Sequence, residues 1–383
     1  MKRFTSIDLF SGCGGFGLGA GLAGFSTLWA ADIDPNLSSS YNFNFPGVQF
    51  NLWDISKISD QKFIETSNGQ SIDLVTGGPP CQGFSVIGKG TSNDARNSLV
   101  SHFFRAVKAI KPKIFVMENV PGLLLPQHIQ ELDTGIKLVS KNYKILPPMK
   151  LTATHFGAAT HRTRVLIIGY DPKQVKKIDT LEIAALASKD MAVSVENAIS
   201  DLPSPIISSP RNEDWGWGTY KRKEVNQLSS YAKKMRTLPI KELGSAVARD
   251  MLQNGKVSGN YRTAHRPESI HRFAQTKPGT TEKISRLPRL TMNKPGPTLR
   301  AGTGPDRGSF QSVRPIHPSQ PRVITVREAA RLQGFPDWFL FHKTKWHSFR
   351  MIGNSVCPIF AEKVLKVFHK KLTQQNGRCI EAA

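Results

Sequence analysis

The sequence predicts an α/β fold, a mainly parallel sheet with flanking helices, joined to a second, smaller and loop-rich domain. Three observations lead there. Across the first 170 residues, short apolar runs alternate with amphipathic stretches, the pattern of strand-helix-strand units. The connection 100–110 sets Val100, Phe103, Phe104, Val107 and Ile110 on one helical face, giving the crossover that parallel strands require. From about Asp171 the periodicity dissolves into Pro, Ser, Asn, Lys and Arg, with only short periodic segments such as Trp215-Gly216-Trp217-Gly218.

In chain order, the predicted strands are Ser6–Phe10, Thr27–Ala31, Leu74–Thr76, Ile114–Met117 and Val165–Ile168. The first four end in distinctive clusters: a Gly-rich turn, the acids Asp32 and Asp34, a Pro-Pro-Cys turn, and Glu118-Asn119-Val120. An Arg pair adjoins the fifth. Active sites of open α/β sheets lie at the carboxyl ends of the strands, so these clusters are expected to converge. Further on, Thr325 and Glu328 stand in capping-box spacing at the start of a helix that Gly334 ends and Pro336 follows. The last unit is the turn Gly353-Asn354-Ser355-Val356-Cys357-Pro358, followed by a helix over 359–372.

The chain of 383 residues carries 52 Lys+Arg against 29 Asp+Glu, a formal charge of +23, so a polyanion is the expected partner, nucleic acid before a membrane surface. The excess is uneven: residues 1–100 hold 6 basic and 8 acidic residues, whereas 211–300 hold 19 and 7. Four scattered cysteines show no CxxC pair or zinc spacing, which fits a reducing compartment and no structural metal. No apolar stretch approaches the roughly 18 residues of a membrane span, so a soluble, cytoplasmic protein is expected.

Chemistry concentrates at a few places. In Gly77-Gly78-Pro79-Pro80-Cys81-Gln82-Gly83-Phe84-Ser85, two prolines fix φ near −65° and hold Cys81 in a stiff turn after a strand, where a nucleophile is well placed. A buried structural thiol is the commoner reading of any single cysteine. Asp8-Leu9-Phe10-Ser11-Gly12-Cys13-Gly14-Gly15-Phe16-Gly17-Leu18-Gly19 follows a strand and opens a helix. Gly12, Gly14 and Gly17 satisfy GxGxxG, and Asp32 and Asp34 end the next strand where a ribose is held, so a nucleotide-type cofactor is expected. Asp54 could accept from an adenine amino group. Glu118 presents an acid at the same sheet edge as Cys81. Arg162 and Arg164 alternate with His161 and Thr163, which places both guanidinium groups on one face; a solvated basic edge is the competing reading.

These motifs, with Arg289-Leu290 through Pro297-Thr298 and Gly353-Asn354-Ser355-Val356, occur in an order that closely resembles the DNA (cytosine-5) methyltransferase family over almost the whole chain. Thr160-His161 before the Arg pair, and Asp32 in place of the more usual Glu, depart from the family pattern. The resemblance implies a Rossmann-like, S-adenosylmethionine-dependent domain over 1–178, completed by 345–383, and a small DNA target-recognition domain over 179–344. It implies Cys81 as nucleophile, Glu118 as proton donor, and Arg162 and Arg164 as supporting catalytic residues. The cofactor pocket maps onto Phe10, Gly12, Cys13, Gly15, Asp32, Ile33, Asp54, Ile55, Pro80, Leu99, Asn354, Ser355 and Val356. The polar segment 84–97 is suited to close over a flipped base.

The expected function is therefore sequence-specific methylation of cytosine C5 in double-stranded DNA, with S-adenosylhomocysteine as by-product and no metal. A monomer serving as modification partner of a restriction endonuclease fits best. A nicotinamide-dependent oxidoreductase built on Gly12, Gly14 and Gly17 leaves Pro-Pro-Cys and Glu-Asn-Val unexplained. An inactive DNA-binding regulator, or an RNA-directed relative, are the remaining alternatives.

Overall fold

Strands form on the apolar runs, and side-chain alternation along them fills two cores at once. The computed structural model describes residues 3–80, 98–207, 214–220, 225–301 and 314–381. Within them lie β1 (Phe4–Leu9), β2 (Phe25–Asp32), β3 (Gln49–Leu52), β4 (Leu74–Gly77), β5 (Ile114–Asn119), β6 (Lys144–Ile145), β7 (Met149–Thr152) and β8 (Thr163–Tyr170). They make one sheet in the order β3-β2-β1-β4-β5-β8-β6, with β7 also paired to β8. Pairings from β3 through β5 are parallel, and those made by β8 are antiparallel.

On β5, Ile114 and Val116 face one core while Phe115 and Met117 face the other; on β8, Leu166 and Ile168 oppose Val165 and Ile167 in the same way. This two-sided burial explains why the central strands read as continuous apolar runs. The predicted crossover helix, observed as Ser98–Ile110, covers one face through Val100, Phe103, Phe104 and Val107. The other face is covered by helices Gly15–Leu22 and Pro358–Glu381. These two approach closely at Gly19, where a Cβ would lie 2.3 Å from that of Ala361, so any larger residue would force them apart. The last helix begins one residue before the predicted 359–372, with Pro358 as its first residue, and runs on to Glu381.

Phe10, expected as the last residue of the first strand, instead has φ +53°; this left-handed turn ends β1 at Leu9 and opens the glycine loop. The loop-rich region contains short helices, including Val195–Ile199, Ser230–Arg236, Ala246–Gln253 and Pro267–Gln275. Helix Val326–Gln333 has its expected capping box: Glu328 N donates to Thr325 Oγ1, and Thr325 N to Glu328 Oε2. All eight of its residues are buried, despite two arginines and a glutamate. Arg331 is accommodated by ion pairs to Asp337 (2.5 Å) and Asp201 (3.1 Å), and Arg327 by the carbonyls of Ser258, Pro336 and Phe339. Buried charge survives here because each cation is paired and hydrogen-bonded. One apolar cluster continues from the sheet through this region to Phe341.

Candidate active site

The sheet sets the site. From β1 the chain winds outward to β2 and β3, then returns to place β4 on the other side of β1, with Leu9 beside Gly77. A crevice opens at such a switch point beyond the carboxyl ends of the strands. The glycine loop leaves β1 on one side of it, and Gly78-Pro79-Pro80 leaves β4 on the other. Cys81 and the segment 84–97 lie outside the described residues.

The loop is bent by positive φ at Phe10, Gly12 and Gly14 and tied back by Gly12 N donating to Asp32 Oδ2 at 2.8 Å. Nothing lies within 4 Å of the position a Cβ would take on Gly12, so the backbone there faces open space. Asp32 also accepts from Asp34 N at 2.8 Å; burial nevertheless raises its pKa, with the charge of Asp34 adding to the effect. Asp34 in turn pairs with Arg350 at 3.1 Å. Next along the edge, Trp53 N donates to the Asp32 carbonyl at 2.9 Å, which sets Asp54 beside the end of β2. The Ser56 hydroxyl hydrogen-bonded to Asp54, with Lys57 nearby, holds that carboxyl below its ordinary range. Ile33 is 59% exposed, whereas Ile55 is buried in the core, so at this edge Ile55 presents main chain and no side chain.

The same holds for Cys13. Its thiol is buried against the Met351 carbonyl, and burial pushes its pKa up to about 12, which leaves it inert. Leu99 sits half-buried in the first turn of helix Ser98–Ile110, and Pro80 is exposed. The distant turn 354–356 packs directly on the glycine loop: a Cβ on Gly15 would fall 1.8 Å from Ser355 Oγ and 2.4 Å from the Val356 carbonyl. Gln333 Nε2 holds that turn through the Ser355 carbonyl at 2.8 Å, and Asn354 is left exposed.

The acid lies one strand further. Glu118 is 8% exposed at the end of β5, with Oε1 2.8 Å from Arg164 Nε; a Cβ on Gly78 would be 3.5 Å from its Oε2. The carboxylate therefore borders the turn that leads into Cys81. Asn119 Nδ2 fixes that turn by donating to the Pro79 carbonyl at 3.3 Å. Arg164 reaches this edge because β8 runs antiparallel to β5, so its beginning meets their shared end. Arg162 and Arg164 do not form a solvated edge. Arg162 is 3% exposed, and its Nη1 donates to the carbonyls of Leu299 and Gly353, each at 3.0 Å. It clamps segment 296–301 and the 353–356 turn onto the entry to β8, while Arg164 serves the acid.

Sequence reasoning missed three supporting residues. Asp8, buried under the loop, accepts from Gly17 N at 3.0 Å and Thr76 Oγ1 at 2.9 Å, and burial raises its pKa to about 7. Arg105 donates to the Ile55 carbonyl at 2.8 Å and fixes the Asp54 turn. Asn119 was visible only as part of a motif; its bond to Pro79 requires the neighbouring strand.

Fold and site together define a Rossmann-like α/β protein that gathers a glycine loop, the carboxylates Asp32 and Asp54 and an Arg-paired acid at the carboxyl ends of its strands. The chain belongs to the C-5 cytosine-specific DNA methylase family, whose model matches residues 4–370, and is a DNA (cytosine-5) methyltransferase. Among its relatives, Type II methyltransferase M.XorII of Xanthomonas oryzae pv. oryzae is 38% identical over 97% of this chain and 87% of its own length. M.DdeI of Desulfomicrobium norvegicum is 32% identical, covering 93% and 86%. A solved structure described as a DNA modification methyltransferase encoded within an E. coli prophage aligns with TM-score 0.84 and 39% identity, over 97% of this chain and 99% of that one. Family membership excludes the nicotinamide reading. Among the described residues, no helix is long and apolar enough to cross a membrane.

Proposed function

We propose that this enzyme methylates C5 of a flipped-out cytosine, within one short sequence of double-stranded DNA, through a covalent bond between Cys81 and C6. The observation that carries this reading is the Glu118 carboxylate, paired with Arg164 and bordering Gly78, three residues before Cys81. Cytosine C5 is too electron-poor to attack a methyl donor. Addition of the Cys81 thiolate at C6 turns the ring into an enamine, and the negative charge that develops at N3 is met by Glu118, which takes up a proton from solvent before the step and passes it to N3. Arg164 steadies Glu118 and the base carbonyl; Arg162 supports the site from beneath. After methyl transfer, loss of the C5 proton and β-elimination release Cys81. A base inside the duplex offers neither carbon, so the target must first leave the stack.

S-adenosylmethionine, when bound, supplies the electrophilic methyl group and leaves as S-adenosylhomocysteine. The described residues fit it: open backbone at Gly12, a carboxylate at Asp32 for ribose hydroxyls, exposed Ile33 for the adenine face and Asp54 for its amino edge. Phe10, Cys13, Gly15, Ile55, Pro80, Leu99, Asn354, Ser355 and Val356 complete the pocket. No metal is required. Residues 1–178 with 345–383 form the catalytic part, and 179–344 select the target. The protein acts as a cytoplasmic monomer, as modification partner of a restriction endonuclease.

Expression in a host lacking cytosine methylation, followed by bisulfite sequencing, tests this. Methylated cytosine in one recurrent context is expected; unmethylated DNA in the presence of soluble wild-type protein would overturn the reading.

A further inference from the structure

Methylation of one sequence requires side chains that read bases, and neither the motifs nor the comparisons identify them. The structure contains a small rigid hairpin suited to the task. Glu282 N donates to the Leu287 carbonyl and Arg289 N to the Thr280 carbonyl, with Thr281 bridging Pro288, so 280–282 and 287–289 form its arms. The tip 283–286 is held from within by Glu282, 4% exposed, whose carboxylate accepts from Ile284 N, Ser285 N and the Ser285 hydroxyl. Arg272 faces the same carboxylate at 3.3 Å. Arg286 occupies φ +55°, strain that a surface loop retains only where its surroundings fix it. A satellite core of Phe273, Leu287, Ile316 and Val323 underlies the hairpin, and Arg289 anchors its base through the carbonyls of Phe273 and Thr276.

This rigid tip projects an unusual set of side chains. Ile284 is 68% exposed, flanked by exposed Lys283 and Arg286, within a stretch 262–289 that carries seven Lys+Arg and two Glu. A surface that only grips phosphates needs neither rigidity nor an isoleucine held in water. A base edge in a groove needs both fixed donors and an apolar contact, since Lys and Arg bond guanine while apolar side chains meet the thymine methyl. The segment leaving the hairpin also docks on the catalytic edge: Leu290 N donates to the Ile316 carbonyl, and further along the same segment Gly296 N donates to the Ala159 carbonyl and Arg162 donates to the Leu299 carbonyl.

We propose that the hairpin 280–289 reads the DNA target, with Ile284, Lys283 and Arg286 determining specificity at one or two adjacent base pairs. This rests on the sequence-specific methylation proposed above. The test uses the full chain, the duplex identified by bisulfite mapping, and duplexes with single base-pair changes at each position. Methyl transfer is compared for wild type, Ile284→Ala, Lys283→Ala and Arg286→Gly; the last places glycine where the backbone already favours it, so the fold is spared. The expected result is a loss of about tenfold or more in kcat/KM on the cognate duplex. Discrimination should flatten at the read position only, with S-adenosylhomocysteine binding and thermal midpoint unchanged. Equal losses on every duplex, the mark of phosphate contacts, or full retention of discrimination, would overturn the assignment. If wild type itself methylates all duplexes equally, the reading of the enzyme as sequence-specific fails instead.

Discussion

Replacing Arg162 with methionine separates two roles that the sequence alone leaves together. Nη1 of Arg162 donates to Leu299 and Gly353 carbonyls at 3.0 Å each, and the residue is 3% exposed. A hydrogen bond from a charged donor contributes about 1.5–3 kcal/mol, and its loss here leaves buried carbonyls unpartnered. Methionine retains most of the apolar packing, so the variant should lose about 3–5 kcal/mol, the order of two such hydrogen bonds. At about 2 °C per kcal/mol for a chain of this size, the thermal midpoint should fall by roughly 6–10 °C. Gly353 precedes Asn354-Ser355-Val356, so S-adenosylhomocysteine should also bind about tenfold more weakly, which corresponds to roughly 1.4 kcal/mol of lost positioning. Differential scanning fluorimetry and calorimetric titration measure both. Unchanged stability and cofactor affinity, with kcat abolished, would refute the clamp and return Arg162 to direct contact with the substrate.

Three further outcomes are expected. Gly15→Ala drives a methyl group into the Val356 carbonyl at 2.4 Å, so cofactor binding should fall by at least tenfold in titration. Glu118→Gln keeps an acceptor for Arg164 but removes the proton donor; kcat should drop about 10²- to 10⁴-fold, with S-adenosylhomocysteine affinity within twofold. Asp8 has its pKa raised from 3.8 to about 7, first by burial, so between those values the folded protein holds a proton that the unfolded chain has released. Its contribution to stability therefore declines as pH rises through that window, on the order of 1.4 kcal/mol per pH unit, and is flat above about pH 7. Urea midpoints of Asp8→Asn should gain on wild type from pH 4 to 7; parallel curves would contradict the assignment.

Much of this was legible because local signals and global fold agree. The Thr325–Glu328 capping box marked its helix start within one residue, and the apolar face of 100–110 identified the crossover. What the sequence could not give were pairings across distance. Nothing local shows that polar-looking Val326–Gln333 is wholly buried, since that depends on Asp201 and Asp337 meeting Arg331. The adjacency of Arg164 and Glu118 requires β8 to be antiparallel, which no period-2 pattern specifies. Arg162 looked like a partner of Arg164 by alternation, yet tertiary contacts 137 and 191 residues away in sequence set its role. Cys13 and Ile55 lie in cofactor motifs but turn their side chains into the core.

The covalent bond proposed between Cys81 and the target base can be captured directly. Incubation of wild type with S-adenosylmethionine and a duplex carrying 5-fluorocytosine at the mapped position blocks the final elimination, because fluorine cannot leave as the C5 proton does. Proteolysis and mass spectrometry should then find one adduct, on the peptide containing Cys81, and none with Cys81→Ser. An adduct on another residue, or none while the same preparation methylates ordinary DNA, would contradict the account.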